Sequence, residues 1–222
     1  MSDSTIVRND PAAHDMLRGA QLTDYHYPDG FAGFSAEITY ADAGSQAIGA
    51  VAVRTPRDVI LEIDASRLAL EWIRRELSSM AAHRWPFEYE HGDGRLSLTF
   101  EADENHPLGR LIEAHGTGLS LSYRIKEGRI VQINRQMGDT RFSINILEHV
   151  QTADTRLLPT YFTVSYWDVP SERLTRSNAY TDRFALQDGI LLPASRRVIT
   201  VDDNGVTVRE LTLTGYQLLP PA

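Results

Sequence analysis

The stretch LSYRIKEGRIVQINRQMGDTRFSINI, residues 121–146, decides the fold. Leu121, Tyr123 and Ile125 alternate with Ser122, Arg124 and Lys126, and Leu119 extends the pattern upstream. A period of two belongs to a strand, because successive side chains on pleated backbone point to opposite faces. Glu127-Gly128 makes a turn, Arg129 to Met137 returns, and Gly138-Asp139 leads into Phe142, Ile144 and Ile146. Short turns between alternating runs predict an antiparallel meander.

The same pattern continues toward the C-terminus. Strands are expected at Thr160–Asp168, Leu174–Leu186, Leu191–Val201 and Val206–Tyr216, with turns at Pro170-Ser171, Asp188-Gly189 and Asn204-Gly205. Asn-Gly is the strongest hairpin signal of the three. Toward the N-terminus, Phe87–Glu90 and Arg95–Glu101 flank Gly92-Asp93-Gly94, and Asn105–Gly118 is ambiguous, with room for one short helix. Gly116-Thr117-Gly118 reads as a turn, since it lacks the remaining residues of a phosphate loop. Phe31–Tyr40 and Gln46–Thr55 form a hairpin, and Arg57–Ile63 continues it.

Two helices precede the meander. Asp10 then Pro11 is a start signal, and Ala13, Met16, Leu17 and Ala20 follow at helical spacing. Asp64 or Ser66 caps a second helix with Ala69, Trp72, Ile73, Leu77 and Met80 on one face. Pro86 ends it near His83-Arg84-Trp85. The fold class is therefore α+β: a large curved antiparallel sheet, an incomplete barrel, wrapped around two or three helices. Residues 1–9 read as a disordered tail and 10–222 as a single domain.

Composition removes several functions. The 222 residues carry 22 Lys+Arg against 30 Asp+Glu, net −8, which repels phosphate backbones, so no nucleic-acid partner is expected. There is no cysteine, so thiol nucleophiles, disulfides and Cys-based zinc sites are excluded. The seven histidines form no metal-ligand spacing, so neither a metal nor a cofactor is expected. No apolar run reaches the roughly 18 residues of a membrane span. Met1–Asp10 has neither a basic n-region nor an apolar h-region, so a cytoplasmic location is expected.

Several strands place uncharged polar residues opposite the apolar set. Gln132, Asn134 and Gln136 oppose Val131, Ile133 and Met137; Ser143, Asn145 and His149 oppose Phe142, Ile144 and Ile146. One face of Leu174–Leu186 carries Arg176, Asn178, Tyr180, Asp182 and Phe184. Such faces either meet solvent or line an amphipathic cavity. Acid–base candidates are His14, His83, His149, Tyr123 and Asp182. His83 ends a helix, where the dipole favours an imidazolium, and His149 follows Glu148, which faces the other way. Arg135 and Arg197 are candidates for orienting an anion, with Tyr180 and Trp167 as ligand-binding aromatics. Lys126, the only lysine, lies in a turn and suits Schiff-base chemistry poorly.

The segments AHDMLRGAQLTDY, FAGFSAEI and MAAHRW resemble a bacterial family of unknown function, domain-of-unknown-function family 3386. So do SYRIKEGRIVQINRQMGDTRFSINILEH, YWDVPSERL and LLPASRRVITVDDNGVTVRELTLTGYQLL. The resemblance spans Ala12 to Leu219, and the family brings no established activity and no catalytic residues. The element order also resembles the lipoprotein-localisation-factor (LolA-like) architecture, which implies an incomplete barrel holding acyl chains in an apolar hollow. Those carriers are periplasmic and have a signal peptide, which the start of this chain does not resemble. Three functions fit these readings. The first is binding of a small lipophilic or amphipathic molecule in a half-barrel cavity. The second is an enzyme (cyclase, isomerase or hydrolase) acting on such a molecule. The third is a protein-interaction module without a small-molecule site.

Overall fold

The computed structural model describes residues 9–116 and 120–221. Of the tail expected at 1–9 only Asn9 is described, and Thr117, Gly118 and Leu119 also lie outside the described residues. The chain order is helix α1 (Pro11–Thr23), strands β1 (Phe34–Asp42), β2 (Ser45–Thr55) and β3 (Asp58–Ile63), then helix α2 (Arg67–Ala82). Two 3-10 turns, Tyr89–His91 and Asp93–Arg95, precede β4 (Ser97–Phe100), β5 (Arg110–His115), β6 (Ser120–Lys126) and β7 (Arg129–Met137). Then come β8 (Thr140–Gln151), β9 (Leu157–Asp168), β10 (Arg173–Gln187), β11 (Ile190–Asp202) and β12 (Gly205–Leu218).

Hydrogen bonding orders the strands β3-β2-β1-β12-β11-β10-β9-β8-β7-β6-β5-β4. Every neighbouring pair is consecutive in sequence except β1 and β12. The sheet is antiparallel and open, with β3 and β4 as its edges, which is the α+β architecture expected of the sequence. The chain divides into two compact units. One is the described residues up to Tyr25 with Phe87–Asn178; the other is His26–Pro86 with the described residues from Ala179 onward.

In the first unit α1 lies against β4, β6 and β7. Asp10 caps it, its carboxylate accepting from Ala12 N at 2.9 Å, and Pro11 fits the first turn, where no N–H is needed. Asp10 N donates to Leu98 O at 2.8 Å and Asn9 Oδ1 accepts from Leu98 N at 2.9 Å, so the helix entry is tied to β4. Ala13, Leu17 and Ala20 pack against Leu98, Ile112, Ala114, Tyr123, Ile125 and Ile130. Met16, expected on that stripe, is exposed. The described part of the ambiguous Asn105–Gly118 stretch, up to Gly116, holds a strand and not a helix. Ile112 and Ala114 are buried at period two, and Gly109, at φ +80°, passes where a Cβ would stand 2.2 Å from Ile125 O. Phe87–Glu90, expected as extended, leads instead into a 3-10 turn that seats Tyr89 in the core.

In the second unit α2 lies against β2 and β3. Ser66, rather than Asp64, is the cap, accepting from Ala69 N at 3.2 Å. The helix buries Ala69, Trp72, Ile73, Leu77, Met80 and Ala81, and also Glu76. Phe34, Ile38, Val53, Leu192 and Leu211 are almost completely buried in the same unit. Gly33 sits at φ +101°, and a Cβ there would lie 2.0 Å from Val53 O, a backbone atom that has no way to yield. Gly33→Ala is expected to destabilise the fold by about 3 kcal/mol, read as a lowered urea midpoint with an unchanged slope.

Candidate functional site

The register across β6–β9 builds a sheet with two different faces. On one, Leu121, Arg135, Phe142 and Tyr166 stand in a row, and Tyr123, Ile133, Ile144 and Val164 form the next. On the other, Ser122, Asn134, Ser143 and Ser165 align beside Arg124, Gln132, Asn145 and Thr163. A register shift at Arg124/Ile125 makes Val131 an extra residue, so Ile130, and not Val131, joins Ile133 in the core.

The polar face satisfies itself. Gln132 Nε2 donates to Asn145 Oδ1 at 2.7 Å, and Asn134 Nδ2 donates to Gln132 Oε1 at 3.1 Å and Ser122 Oγ at 3.3 Å. The Ser143 hydroxyl donates to Asn134 Oδ1. Trp167 belongs to this face, half-buried under Arg141, whose guanidinium carbon lies 5.2 Å from the ring centroid.

The other face is apolar, and α1 covers only part of it. Phe142, Ile144, Ile146 and Tyr166 continue the face onto β8 and β9 and stay half-buried, with the Phe142 and Tyr166 rings 5.9 Å apart. Arg135 is half-buried among them, and its Nε is sealed from solvent without a hydrogen-bond partner. Arg176, on β10, lies 4.1 Å over the Tyr166 ring.

Tyr123 and His14 enter a polar cluster beneath α1. Tyr123 Oη donates to Asp93 Oδ2 at 2.8 Å, and Gln21 Nε2 donates to the same oxygen at 2.6 Å. Burial, then the Asp93 charge, push the Tyr123 pKa far up, so the phenol stays a donor. His14 Nε2 meets Asn9 Oδ1 at 2.9 Å and Nδ1 meets Tyr89 Oη at 2.7 Å. Since an amide oxygen only accepts, Nε2 carries a hydrogen toward Asn9, and Nδ1 is engaged by Tyr89 Oη. Tyr89 is itself pushed up to about 12, by burial and then by Asp93. His149 is half-buried on β8, where two register shifts interrupt the alternation, and its Cα faces Pro159.

Asp182, Tyr180 and His83 belong to the second unit, around Arg196, a strand arginine that is not among the candidate site residues. Arg196 is 3% exposed and forks onto Asp182, Nε to Oδ1 at 2.8 Å and Nη2 to Oδ2 at 2.6 Å. Its Nη1 donates to Glu76 Oε2 at 3.2 Å, and Tyr180 lies 5.1 Å from the guanidinium carbon. Burial opposes the Arg196 charge, but the two carboxylates outweigh it and hold its pKa above the ordinary value. Arg197, its neighbour, is exposed and stands opposite Glu210. Glu76 had a signal in the sequence, since it falls four residues from both Trp72 and Met80 on the buried stripe of α2. His83 ends α2 and is exposed, yet the protein packed around it, then the Arg84 and Arg196 charges, push its pKa down to about 4. Asp182 pulls the other way. Among the described residues no three His, Asp or Glu gather as metal ligands, and no helix is long and apolar enough to cross a membrane.

Residues 8–219 match the model of a family described as a protein of unknown function, DUF3386. No curated protein matches the chain significantly. Among solved structures, a domain from Vibrio parahaemolyticus described as an outer membrane lipoprotein-sorting protein is similar at 10% identity. That likeness covers 95% of this chain and 94% of that one, with a TM-score of 0.41. A DUF1329 family protein from Desulfovibrio piger is similar at 10% identity, with 93% and 92% covered and a TM-score of 0.28. The MucA/MucB complex of Pseudomonas aeruginosa contains a chain similar at 12% identity, with 94% and 99% covered and a TM-score of 0.25.

The Arg196 cluster leads to two expected outcomes. Asp182→Asn strips the fork of its charge partner in a buried place and is expected to destabilise the fold by about 3–5 kcal/mol in urea titration. His83 binds a proton at about 6.5 when unfolded and at about 4 when folded, so the unfolded state takes up protons first as pH falls. Stability is expected to be full above about pH 6.5 and to decline toward pH 4, with His83→Gln flattening that window. Because His83 is exposed, solvent screening keeps the decline below what the shift would give if fully expressed.

Proposed function

The chain belongs to the DUF3386 family, and for this member of it we propose the binding of a small lipophilic or amphipathic molecule on the apolar face of β7–β9. The observation that carries this reading is the continuation of that face beyond α1. Phe142, Ile144 and Tyr166 are half-buried, next to Ile146 at the edge of the α1 core, in a position to gain by further covering. Three rows of side chains along a strand, spaced about 7 Å apart, span about 14 Å, long enough to take much of an acyl chain or a small ring system. The opposite face supports the same reading, because its amides and hydroxyls already bond one another and offer a ligand little.

Catalysis on the bound molecule has less to draw on. Tyr123 is committed to Asp93 as a donor, and both ring nitrogens of His14 are engaged. Asp182 is the fork partner of a fully buried arginine. These are the contacts of structural groups rather than of an acid and a base poised over a substrate.

The test uses a neutral probe, so that charge plays no part. The purified chain is expected to enhance the fluorescence of N-phenyl-1-naphthylamine with micromolar affinity and a stoichiometry of one. Ile144→Ser is expected to weaken that binding about tenfold with the thermal midpoint kept within a few degrees. Absence of saturable binding to the wild-type chain would overturn the reading.

A further inference from the structure

Several arginines on this acidic chain pair with carboxylates. Arg196 pairs with Asp182 and Glu76, Arg124 with Asp103, Arg110 with Glu104, Arg129 with Glu127 and Arg209 with Asp42. Arg135 and Arg176 have no such pair among the described residues, and both stand with the apolar row of Leu121, Phe142 and Tyr166. Arg135 lies in register between Leu121 and Phe142, with its Nε buried and without a hydrogen-bond partner. Its charge is felt by Tyr123, whose pKa it lowers against the pull of burial and Asp93. Asp93 Oδ2 accepts from the Tyr123 hydroxyl and the Gln21 amide, and no ion pair joins Asp93 to Arg135 among the described residues. Arg176 rests on the Tyr166 ring, and no ion pair holds it among the described residues.

The two guanidinium groups therefore flank one aromatic platform. Arg135 is opposite Phe142, Phe142 is 5.9 Å from Tyr166, and Arg176 covers Tyr166. With strands about 4.8 Å apart, the α-carbons of Arg135 and Tyr166 are separated by about 10 Å, within the joint reach of two long side chains. A guanidinium held in an apolar face without an acceptor is costly, and an anion that reaches its terminal nitrogens, which are not sealed as Nε is, lowers that cost. A carboxylate, like a phosphate, presents two oxygens that match the guanidinium fork, and a carboxylate carries the smaller charge to bring onto an apolar face.

We infer that Arg135, assisted by Arg176, binds the carboxylate head of an amphiphile whose tail lies along Ile144, Ile146 and Phe142. The inference rests on the lipophile reading above and narrows it to an anionic, single-chain ligand class. Arg135 supplies donors from within the apolar face, and Arg176 supplies a second charge from its rim.

Isothermal titration of the full chain with oleate and with oleyl alcohol, both below their aggregation limits, tests the charge separately from the tail. The expected result is oleate bound about tenfold more tightly than oleyl alcohol, a preference that weakens with added salt. Arg135→Gln is expected to abolish the preference while oleyl alcohol binding stays within about twofold. Arg176 is exposed, so Arg176→Gln keeps the fold intact and offers a second arm, with oleate weakened about threefold and the alcohol unchanged. Equal binding of the two probes to the wild-type chain would overturn the anion inference and leave the lipophile reading standing. Binding of neither would overturn both.

Discussion

Alternation along the strands is the constraint on which the first unit depends. Between the bulges each residue of β6–β9 is assigned to a face by parity, so a slip of one residue would exchange the α1-facing side for the polar side. Local geometry secures the assignment. The bulge at Val131 lets Ile130 and Ile133, three positions apart, share the core, which an unbroken strand forbids. Downstream of that correction the rows fall into place. Leu121, Arg135, Phe142 and Tyr166 end on one side, and Ser122, Asn134, Ser143 and Ser165 on the other. The same parity that builds the core thus also delivers an arginine into the middle of an apolar face.

Charge is handled differently in the two units. In the second, a helix carboxylate and a strand carboxylate meet the two sides of Arg196, so three charges are buried with most of their hydrogen bonds made. Such a cluster stabilises less than its contacts suggest, because desolvation offsets the attraction, but it penalises any arrangement that parts its members. In the first unit Arg135 has no such partner. A buried pair specifies the fold of its surroundings, whereas a half-buried cation without a partner leaves an electrostatic demand for something else to meet.

Element types were largely legible in the sequence, and the exceptions have physical causes. The caps at Asp10 and Ser66 and the stop before Pro86 are local signals, and the helices begin and end by them. Asn105–Gly118 was ambiguous because its strand depends on Gly109 passing close to the Ile125 carbonyl, a tertiary approach that leaves no local trace. The 3-10 turn at Tyr89 likewise answers to a core position and not to propensity. At the level of sites, Arg196 and Arg197 are indistinguishable by type. Which of them is buried follows from sharing a face with Val198, and that requires the register of β11 on β12. Glu76 was visible as a lone carboxylate on the apolar stripe of α2, but its partners are distant in sequence.

The strand order also bears on how the chain folds. All neighbouring strands but one pair are consecutive, so most of the sheet can grow by adding hairpins, each closing only a short loop. The pairing of β1 with β12 is different, for more than 160 residues separate Asp42 from Gly205. Closing a loop of that length costs about 4 kcal/mol more than closing a two-residue turn, to be repaid only when the whole of Phe34–Asp42 has found its register. That seam is the natural rate-limiting step, and until it forms β1 and β12 expose unpaired backbone along an entire strand. The β1–β12 junction is accordingly where the nascent chain is most open to mispairing with another copy of itself.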